Sequence, residues 1–247
     1  MIDIHAHILP GVDDGSEDMT ESVRMAEMAV KSGVRAIVVT PHYDIPEEEP
    51  KDLQVMRAGL RHLRGVLAER QIPLELYSGM EIFGTPDTAD RLADGELVTL
   101  ADSRYPLIEF PFTGYAMEAT SILESVRDLG LLPIVAHPER YRYVQSDPEI
   151  LNVWFDMGCL LQVNRGSLMG RFGHVCLELA EEMLERGFAA FIASDAHGAD
   201  VRTTGMKDVY DTVSRRFSED MARELLSEHP ARVLWDRAIE MERPIWF

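Results

Sequence analysis

The sequence of 247 residues is poor in basic side chains. It has 24 lysines and arginines against 43 aspartates and glutamates, so its formal net charge is −19 with the histidines neutral. Proteins hold DNA and RNA mainly through lysine and arginine contacts to phosphate, and no basic groove is evident in this sequence. The charge balance therefore argues against a nucleic-acid-binding protein.

The sequence also lacks long hydrophobic runs. The longest apolar stretches, residues 129–136 and 188–193, reach about eight residues, whereas a membrane-spanning helix needs about 18. Residues 1–5 contain neither the basic nor the apolar region of a signal peptide. The two cysteines, Cys159 and Cys176, are too few for a disulfide framework and agree with a reducing compartment. We therefore expect a cytoplasmic protein without membrane insertion.

Short, β-branched apolar runs alternate along the chain with segments whose apolar residues recur every three or four positions. This pattern is typical of strands that alternate with helices, and strands apolar on both faces indicate a parallel sheet covered by helices. We expect an α/β fold, a barrel rather than an open sheet, in a single domain over residues 1–247. The predicted strands are residues 2–5, 34–40, 74–80, 105–110, 131–136, 159–164 and 189–194. The predicted helices are residues 20–32, 52–70, 116–129, 147–157, 173–187, 205–216, 218–228 and 231–240.

One stretch departs from this alternation. Residues 44–50 contain two prolines and a run of acids, which predicts a surface loop. A solvated loop and a lid over a site are both compatible with this composition.

Histidines and carboxylates follow the predicted strands at their C-terminal ends. His5 and His7 are two residues apart on the first strand, so their side chains point to the same side, within reach of one cation. Such a pair alone is weak support, but in a β/α barrel the C-terminal strand ends converge on one face. Burial of Glu109 or His137 without a partner would be costly, and a cation satisfies both. The candidate ligands are His5, His7, Asp14, His42, Glu81, Glu109, His137, Asp195 and His197.

Nine ligands exceed the three or four that one catalytic ion uses, so we expect two or three ions that share bridging carboxylates. Four carboxylates contribute about −4 and three divalent ions about +6, which leaves about +2 to attract an anion. The predicted substrate is therefore a phosphate. Mixed nitrogen and oxygen ligands without thiolate suit manganese, iron or zinc, and the ligand types do not decide among them.

The motifs around these residues resemble the polymerase and histidinol phosphatase (PHP) superfamily over nearly the whole chain. The closest resemblance is to its protein tyrosine phosphatases, which act on bacterial tyrosine kinases of capsule and exopolysaccharide synthesis. The HxH segment at residues 5–7 and the DxH segment at residues 195–197 are typical of the superfamily. The segments HPERY at residues 137–141 and GSL at residues 166–168 are typical of its tyrosine phosphatases. The matching stretches are residues 2–7, 11–15, 40–43, 79–82, 108–110, 136–141, 162–168 and 194–197.

The resemblance implies a distorted PHP-type (β/α)7 barrel with its active site at the C-terminal ends of the strands. It implies a hydroxide, activated by metal ions of which manganese is favoured, that attacks phosphotyrosine, while Arg140 and Arg202 grip the phosphate. The implied partner is a phosphotyrosine-bearing protein such as a bacterial tyrosine kinase. The implied ligands are His5, His7, Glu81 and Asp195 for the first ion, Glu81, Glu109 and His137 for the second, and Asp14, His42 and His197 for the third.

Two other functions stay open on the sequence: a small-molecule phosphatase of the histidinol-phosphatase type, and a regulatory module that binds a kinase without turnover. The oligomeric state stays open as well. Six aromatic residues near the strand ends are candidates to stack on a phenyl ring: Tyr43, Phe110, Phe112, Tyr115, Tyr141 and Tyr143.

Two further patterns receive ordinary interpretations. Cys159 and Arg165 have the C-x5-R spacing of cysteine-dependent tyrosine phosphatases, but the residues between them form a predicted strand without the glycine-rich anion loop. We expect this thiol to be inert. His62, His174 and His229 lie on or beside predicted helices and are interpreted as surface or capping residues.

Overall fold

A computed structural model describes residues 1–43 and 53–247. The loop or lid predicted at residues 44–50 lies outside the described residues. The strands are β1 (Ile2–Ala6), β2 (Ala36–Val39), β3 (His42–Tyr43), β4 (Glu75–Ser78), β5 (Glu81–Phe83), β6 (Leu107–Glu109), β7 (Ile134–Ala136), β8 (Leu160–Asn164) and β9 (Ala189–Ala193). The helices are α1 (Met19–Lys31), α2 (Leu53–Glu69), α3 (Thr88–Ala93), α4 (Ala116–Asp128), α5 (Arg142–Ser146), α6 (Ile150–Asp156), α7 (Arg165–Leu168), α8 (His174–Arg186), α9 (Lys207–Arg216), α10 (Glu219–Arg223) and α11 (His229–Leu234).

All paired strands are parallel and form two sheets, of order β1-β2-β4 and β3-β5-β6-β7-β8-β9. The chain links the sheets, because β2 continues into β3 and β4 into β5. At the far edge, a bridge between Ala6 and Ala196 and a bond from the Asp195 amide to the His5 carbonyl (2.9 Å) bring the segment after β9 against β1. The predicted α/β class is confirmed. When β2 with β3 and β4 with β5 are each counted as one interrupted strand, neighbouring strands follow one another in chain order.

The second and third predicted strands, residues 34–40 and 74–80, form β2 and β4, and each is followed, after a break of two residues, by a further short strand that was not predicted. Thr40 and Pro41 separate β2 from β3, and Gly79 and Met80 separate β4 from β5. Proline lacks an amide to donate to a sheet, and a Cβ at Gly79 would lie only 2.8 Å from a Val38 methyl carbon. After both breaks, His42 pairs directly with Glu81 across β3 and β5. The breaks therefore bring two candidate ligands side by side.

The amphipathic segments form helices with apolar residues directed at the strands, and local signals fix several of their ends. Asp18 caps α1 by accepting a hydrogen bond from the Glu21 amide (2.9 Å), and Gly187 ends α8 with a φ of 83°. The prediction of a helix over residues 231–240 is wrong beyond Leu234. Asp236 has a φ of 47°, and Arg104 binds its carboxylate at 2.8 and 3.1 Å, which holds the chain in a turn.

The C-terminal segment packs on the outside of the molecule. Trp246 lies edge-on to Phe155 and contacts the ring of Phe188, which in turn contacts Phe247. Within residues 1–43 and 53–247, no helix is both long and apolar enough to cross a membrane.

Candidate metal centre

The nine candidate ligands lie together at the C-terminal ends of the strands. Six of them are buried, and the side chain of Asp14 is 66% exposed. Three groups have ligand atoms within 4.8 Å of one another: His5, His7, Glu81 and Asp195; His42, Glu81 and Glu109; and His7, Asp14, His42 and His197. These groups share members, so the cluster is continuous from the buried centre to the surface.

The first group is fully buried. The Nε2 atoms of His5 and His7 lie 3.2 Å apart. They approach the Glu81 Oε2 atom at 3.1 and 3.3 Å, and each lies 3.6 Å from the Asp195 Oδ1 atom. Two imidazole nitrogens and two carboxylate oxygens thus face one point.

The orientation of both imidazoles is fixed from behind. The Nδ1 atom of His5 lies 2.9 Å from Gln162 Oε1, and that of His7 lies 2.7 Å from Asp13 Oδ2. When each Nδ1–H donates to these oxygens, each Nε2 presents its lone pair to the cluster, which is how metal-ligating histidines are usually oriented. Sequence reasoning missed both Gln162 and Asp13 in this role. The one signal for Asp13 was its place in the Asp-Asp-Gly turn, where a Cβ on Gly15 would overlap the His7 carbonyl.

The second group lies beside the first and shares Glu81. The His42 Nδ1 atom is 3.0 Å from Glu81 Oε2 and 3.2 Å from Glu109 Oε1. The His137 Nε2 atom is 3.0 Å from Glu81 Oε1 but 3.9 Å from Glu109 Oε2. The resemblance implied Glu81, Glu109 and His137 as ligands of the second ion. In the structure His42 also lies in this group, and His137 lies at its edge.

The third group opens to solvent. The exposed Asp14 Oδ1 atom lies 3.5 Å from His42 Nε2 and 3.4 Å from His197 Nε2. The rings of His7 and His197 lie against each other, with centroids 3.9 Å apart. A small anion has access to the cluster from this side.

The cluster has the properties of a site for cations. Among the residues that the structure describes, Glu81 Oε2 and His42 Nδ1 are buried and have no hydrogen-bond partner of good geometry. Burial alone would lower the pKa values of His5 and His42. The negative charges of Glu81 with Asp195, and of Glu81 with Glu109, outweigh burial and raise these pKa values to about 9 and about 11. Buried ligand atoms without hydrogen-bond partners, in surroundings that favour positive charge, are suited to bind divalent metal ions.

Arg140 and Arg202 reach the same cluster from the other side of Asp195. The Nη1 atom of Arg140 and the Nη2 atom of Arg202 lie 3.2 and 2.5 Å from Asp195 Oδ2, and Asn164 donates to this oxygen at 2.5 Å. Asp195 thus turns one oxygen to the imidazoles and the other to the guanidinium groups. The Arg140 guanidinium also lies 4.5 Å from the ring centroid of Phe112 and 4.3 Å from that of Phe172.

Backbone strain is concentrated in this region. His137, Asp195 and Arg202 have φ values of 35°, 49° and 51°, a left-handed conformation that costs non-glycine residues about 1–2 kcal/mol. They are three of seven such residues in the described part of the chain. Strained residues persist where their surroundings over-determine the backbone, as they commonly do at functional sites.

Most of the aromatic candidates serve packing. Tyr43, Phe110 and Tyr141 are buried, and the Tyr141 hydroxyl donates to the Ala136 carbonyl at 2.6 Å. Phe112 and Tyr115 are 40% and 77% exposed and remain able to contact a ligand. Phe172, which contacts Arg140, was not among the predicted residues.

Cys159 is not part of any anion site. It is buried, and burial raises the pKa of its thiol to about 12. Arg165 lies at the other end of β8, an extended strand of five residues that spans roughly 16 Å. Its guanidinium binds Asp208 instead. His229, predicted as a surface or capping residue, is buried, with its Nδ1 atom 2.9 Å from the Ala190 carbonyl.

Comparisons with known proteins agree with this arrangement. The family model for capsular polysaccharide synthesis, CpsB/CapC, matches residues 1–235. Tyrosine-protein phosphatase YwqE of Bacillus subtilis (strain 168) is 32% identical over 246 residues, which cover 99% of this chain and 95% of that protein. Tyrosine-protein phosphatase CpsB of Streptococcus pneumoniae is 32% identical over 250 residues, which cover 97% of this chain and all of that protein.

A chain from the crystal structures of YwqE and CpsB, described as unique metal-dependent tyrosine phosphatases, superimposes with a TM-score of 0.94 at 32% identity. The alignment covers 100% of this chain and 99% of that one. The likeness therefore extends over the whole fold, including all strand ends that carry the cluster.

Proposed function

The chain belongs to the CpsB/CapC family of capsular polysaccharide synthesis, and we propose that it is a metal-dependent protein tyrosine phosphatase. Two relatives that match nearly all of this chain are named tyrosine-protein phosphatases. The observation that carries the proposal is the convergence of five imidazoles and four carboxylates on one face, next to two arginines. We also propose that residues 1–247 act as one domain.

We propose that the cluster holds two to three divalent ions, preferably manganese, with iron or zinc as alternatives. Such ions, when bound, neutralise phosphate oxygens and lower the pKa of a coordinated water to supply a hydroxide near neutral pH. The proposed ligands are His5, His7, Glu81 and Asp195 for the first ion, Glu81, Glu109 and His137 with His42 for the second, and Asp14, His42 and His197 for the third.

The arginines have a separate task. Arg140 and Arg202 donate hydrogen bonds to the oxygens of the phosphoryl group. They hold it so that the leaving tyrosine oxygen lies opposite the attacking hydroxide. Guanidinium groups suit this task because they keep their charge at all working pH values and present planar pairs of donors. Gln162 and Asp13 keep the imidazole rings turned so that the same nitrogens always face the cluster.

Aromatic side chains at the rim support an aryl phosphate as the substrate. Phe112 and Phe172 both lie against the Arg140 guanidinium, so a phosphoryl group bound there has aromatic surface beside it. A phenyl ring packs favourably on such surface, while the short side chain of phosphoserine does not reach it.

We propose that the physiological substrate is a phosphotyrosine-bearing protein, a bacterial tyrosine kinase of capsule or exopolysaccharide synthesis. The family description and the names of the relatives support this partner. A cytoplasmic location is proposed with it, and two cysteines without a disulfide agree with a reducing compartment.

The test is phosphate release from a phosphotyrosine peptide by the purified full-length protein, with metal content from elemental analysis. We expect EDTA to stop release, manganese to restore it, and two to three ions per chain to be present. Glu81→Ala and Asp195→Ala should abolish release while circular dichroism stays unchanged, and Glu178→Ala, a change at an exposed helix position, should have no effect.

Three results would contradict the proposal. Faster turnover of histidinol phosphate would make the protein a small-molecule phosphatase. Bound metal without release from any phosphate ester would favour a binding module. Full activity in Glu81→Ala or Asp195→Ala would remove the cluster from the chemistry.

A further inference from the structure

The segment that carries Arg202 has no regular secondary structure of its own. It comprises residues 197–206, the last part of the connection from β9 to α9, and Arg202 has a φ of 51° there. The His197 amide donates to the Arg202 carbonyl at 2.8 Å, which closes a tight loop. Contacts from neighbouring elements must therefore hold this conformation.

One side of the segment is tied to the first half of α1. The Ala199 amide donates to Glu21 Oε1 at 3.2 Å, and the Thr204 hydroxyl donates to the Met25 carbonyl at 2.5 Å. These bonds fix the edge of the segment that lies against α1.

The other side is tied by Arg165, the first residue of α7. Its Nε and Nη2 atoms donate to the two carboxylate oxygens of Asp208 at 2.8 and 2.5 Å. Its Nη1 atom donates to the Thr203 carbonyl at 3.3 Å. The Arg165 side chain is only 6% exposed. A buried guanidinium thus joins the residue next to Arg202 to the first turn of α9.

Asn164 and Arg165 act on the same arrangement from adjacent positions. Asn164 donates to Asp195 Oδ2, the oxygen that Arg202 also contacts. Arg165 holds the backbone from which Arg202 reaches that oxygen. The end of β8 therefore places both the carboxylate and the arginine.

We infer that Arg165, through Asp208 and the Thr203 carbonyl, is a positioning residue that holds Arg202 at the phosphate site. This inference rests on the proposed phosphatase function, because it assigns Arg202 to phosphate binding. Lysine could not replace Arg165 fully, since one ammonium group cannot bind both carboxylate oxygens and a separate carbonyl with fixed geometry.

The test is a double-mutant cycle with Arg165→Ala, Arg202→Ala and the double variant, measured as kcat and KM on a phosphotyrosine peptide with saturating manganese. Arg165→Ala should lower kcat/KM by at least about tenfold, mainly through KM, because a misplaced binding group loses much of its effect. In the Arg202→Ala background, the same change should alter kcat/KM by less than about twofold, because coupled residues are not additive. Arg165→Lys should fall between Arg165→Ala and the unmodified chain.

Arg216→Ala is the matched control, because Arg216 forms a bidentate pair with Glu181 on the surface, away from the cluster. It should leave kcat/KM unchanged. If the losses in Arg165→Ala and Arg202→Ala multiply in the double variant, Arg165 acts independently of Arg202 and the inference is wrong. If Arg165→Ala does not fold, Asp208→Asn takes its place with the same expectations, since the Asp208 side chain is 43% exposed.

Hydrogen exchange separates this inference from the proposed function. Without substrate, amides of residues 197–206 should exchange faster in Arg165→Ala than in Arg216→Ala, including the His197 amide bonded to Arg202. Unchanged exchange overturns the positioning role even in an active enzyme. Absence of phosphate release from the unmodified chain, with faster exchange in Arg165→Ala, would overturn the phosphate-binding part of the inference together with the proposed function.

Discussion

Asp13 determines which nitrogen of His7 faces the cluster. Its Oδ2 atom accepts hydrogen bonds from His7 Nδ1 and from the His42 amide at 2.9 Å, and its Oδ1 atom accepts from the Gly15 amide at 3.0 Å. Burial opposes ionisation of this carboxyl group, but the hydrogen bond and charge of His7 hold its pKa below the usual range. It therefore stays an acceptor at every working pH.

We expect Asp13→Asn to bind manganese about 10–100-fold more weakly, because the amide can no longer fix the His7 tautomer. A manganese titration with phosphatase activity as the readout would measure the loss of affinity. Asp200→Asn, at an exposed position paired with Arg24, is the control with the same charge change. Unchanged metal affinity in Asp13→Asn would mean that packing alone orients His7.

For Cys159 we predict no role in the reaction. Because its buried thiol has a pKa of about 12, it carries almost no thiolate near neutral pH and cannot act as a nucleophile. Cys159→Ser should keep full phosphatase activity, and the native thiol should react with an aromatic disulfide reagent only after unfolding. Loss of turnover in Cys159→Ser, with the fold intact, would point to cysteine chemistry instead.

Most of the ligand positions could be predicted from the sequence because they lie at the C-terminal ends of apolar strands, where a polar side chain is conspicuous. Gln162 and Phe172 could not be found in this way. Gln162 acts through His5, which is 157 positions away in the chain, and Phe172 through its approach to Arg140. Their roles depend on partners that only the folded chain brings near.

Gly79 illustrates how the break in a strand shapes the site. A Cβ at this position would lie 2.8 Å from Val38 Cγ1 and 3.0 Å from Leu100 Cδ2, both in the packed interior. Gly79→Ala should lower the free energy of unfolding by about 1–3 kcal/mol through overpacking, as measured by urea denaturation. It should also weaken activity, because β5 and Glu81 follow directly.

Gly65→Ala is the matched control for this change. Gly65 lies on α2, and a Cβ there meets no heavy atom of the described residues within 4 Å. Alanine should stabilise the helix by about 0.5–1 kcal/mol. Equal stability changes in the two variants would show that the space around Gly79 adapts.

Periodicity was sufficient for most helices and strands but not for their interruptions. The apolar runs at residues 34–40 and 74–80 contain no signal that a second short strand, β3 or β5, follows each of them after a break of two residues. Residues 235–240 continue a helical pattern, yet Arg104, more than 130 positions away, holds Asp236 in a turn. Local patterns predict elements, and contacts between distant elements decide where they stop.

The charge of the whole molecule opposes the approach of phosphate. With a net charge of −19, the protein repels anions at long range unless positive charge is concentrated at the site. Arg140 and Arg202 provide part of that charge, and both are paired with Asp195. The proposed ions would supply the remainder, so affinity for phosphate and affinity for metal are linked.

This linkage predicts how stability depends on pH with and without metal. In the metal-free protein the pKa of His5 is raised to about 9 and that of His42 to about 11 by neighbouring carboxylates, against an ordinary value of 6.5. Folded-state pKa values above the unfolded ones mean that the protonated imidazoles stabilise the fold fully below about pH 6.5. This stabilisation is lost as the pH rises through about 9 for His5 and about 11 for His42.

With EDTA, the free energy of unfolding should fall from pH 6.5 to 9, by at most about 3 kcal/mol for His5, since one pKa unit corresponds to about 1.4 kcal/mol. With manganese the fall should be absent, because cations replace the protons on the imidazoles and bind more tightly as the pH rises. Urea denaturation at three pH values, with and without manganese, measures both curves. In His5→Gln with EDTA, the free energy of unfolding should fall less between pH 6.5 and 9 than in the unmodified protein. Stability that rises with pH in the presence of EDTA would show that these imidazoles are neutral in the metal-free protein.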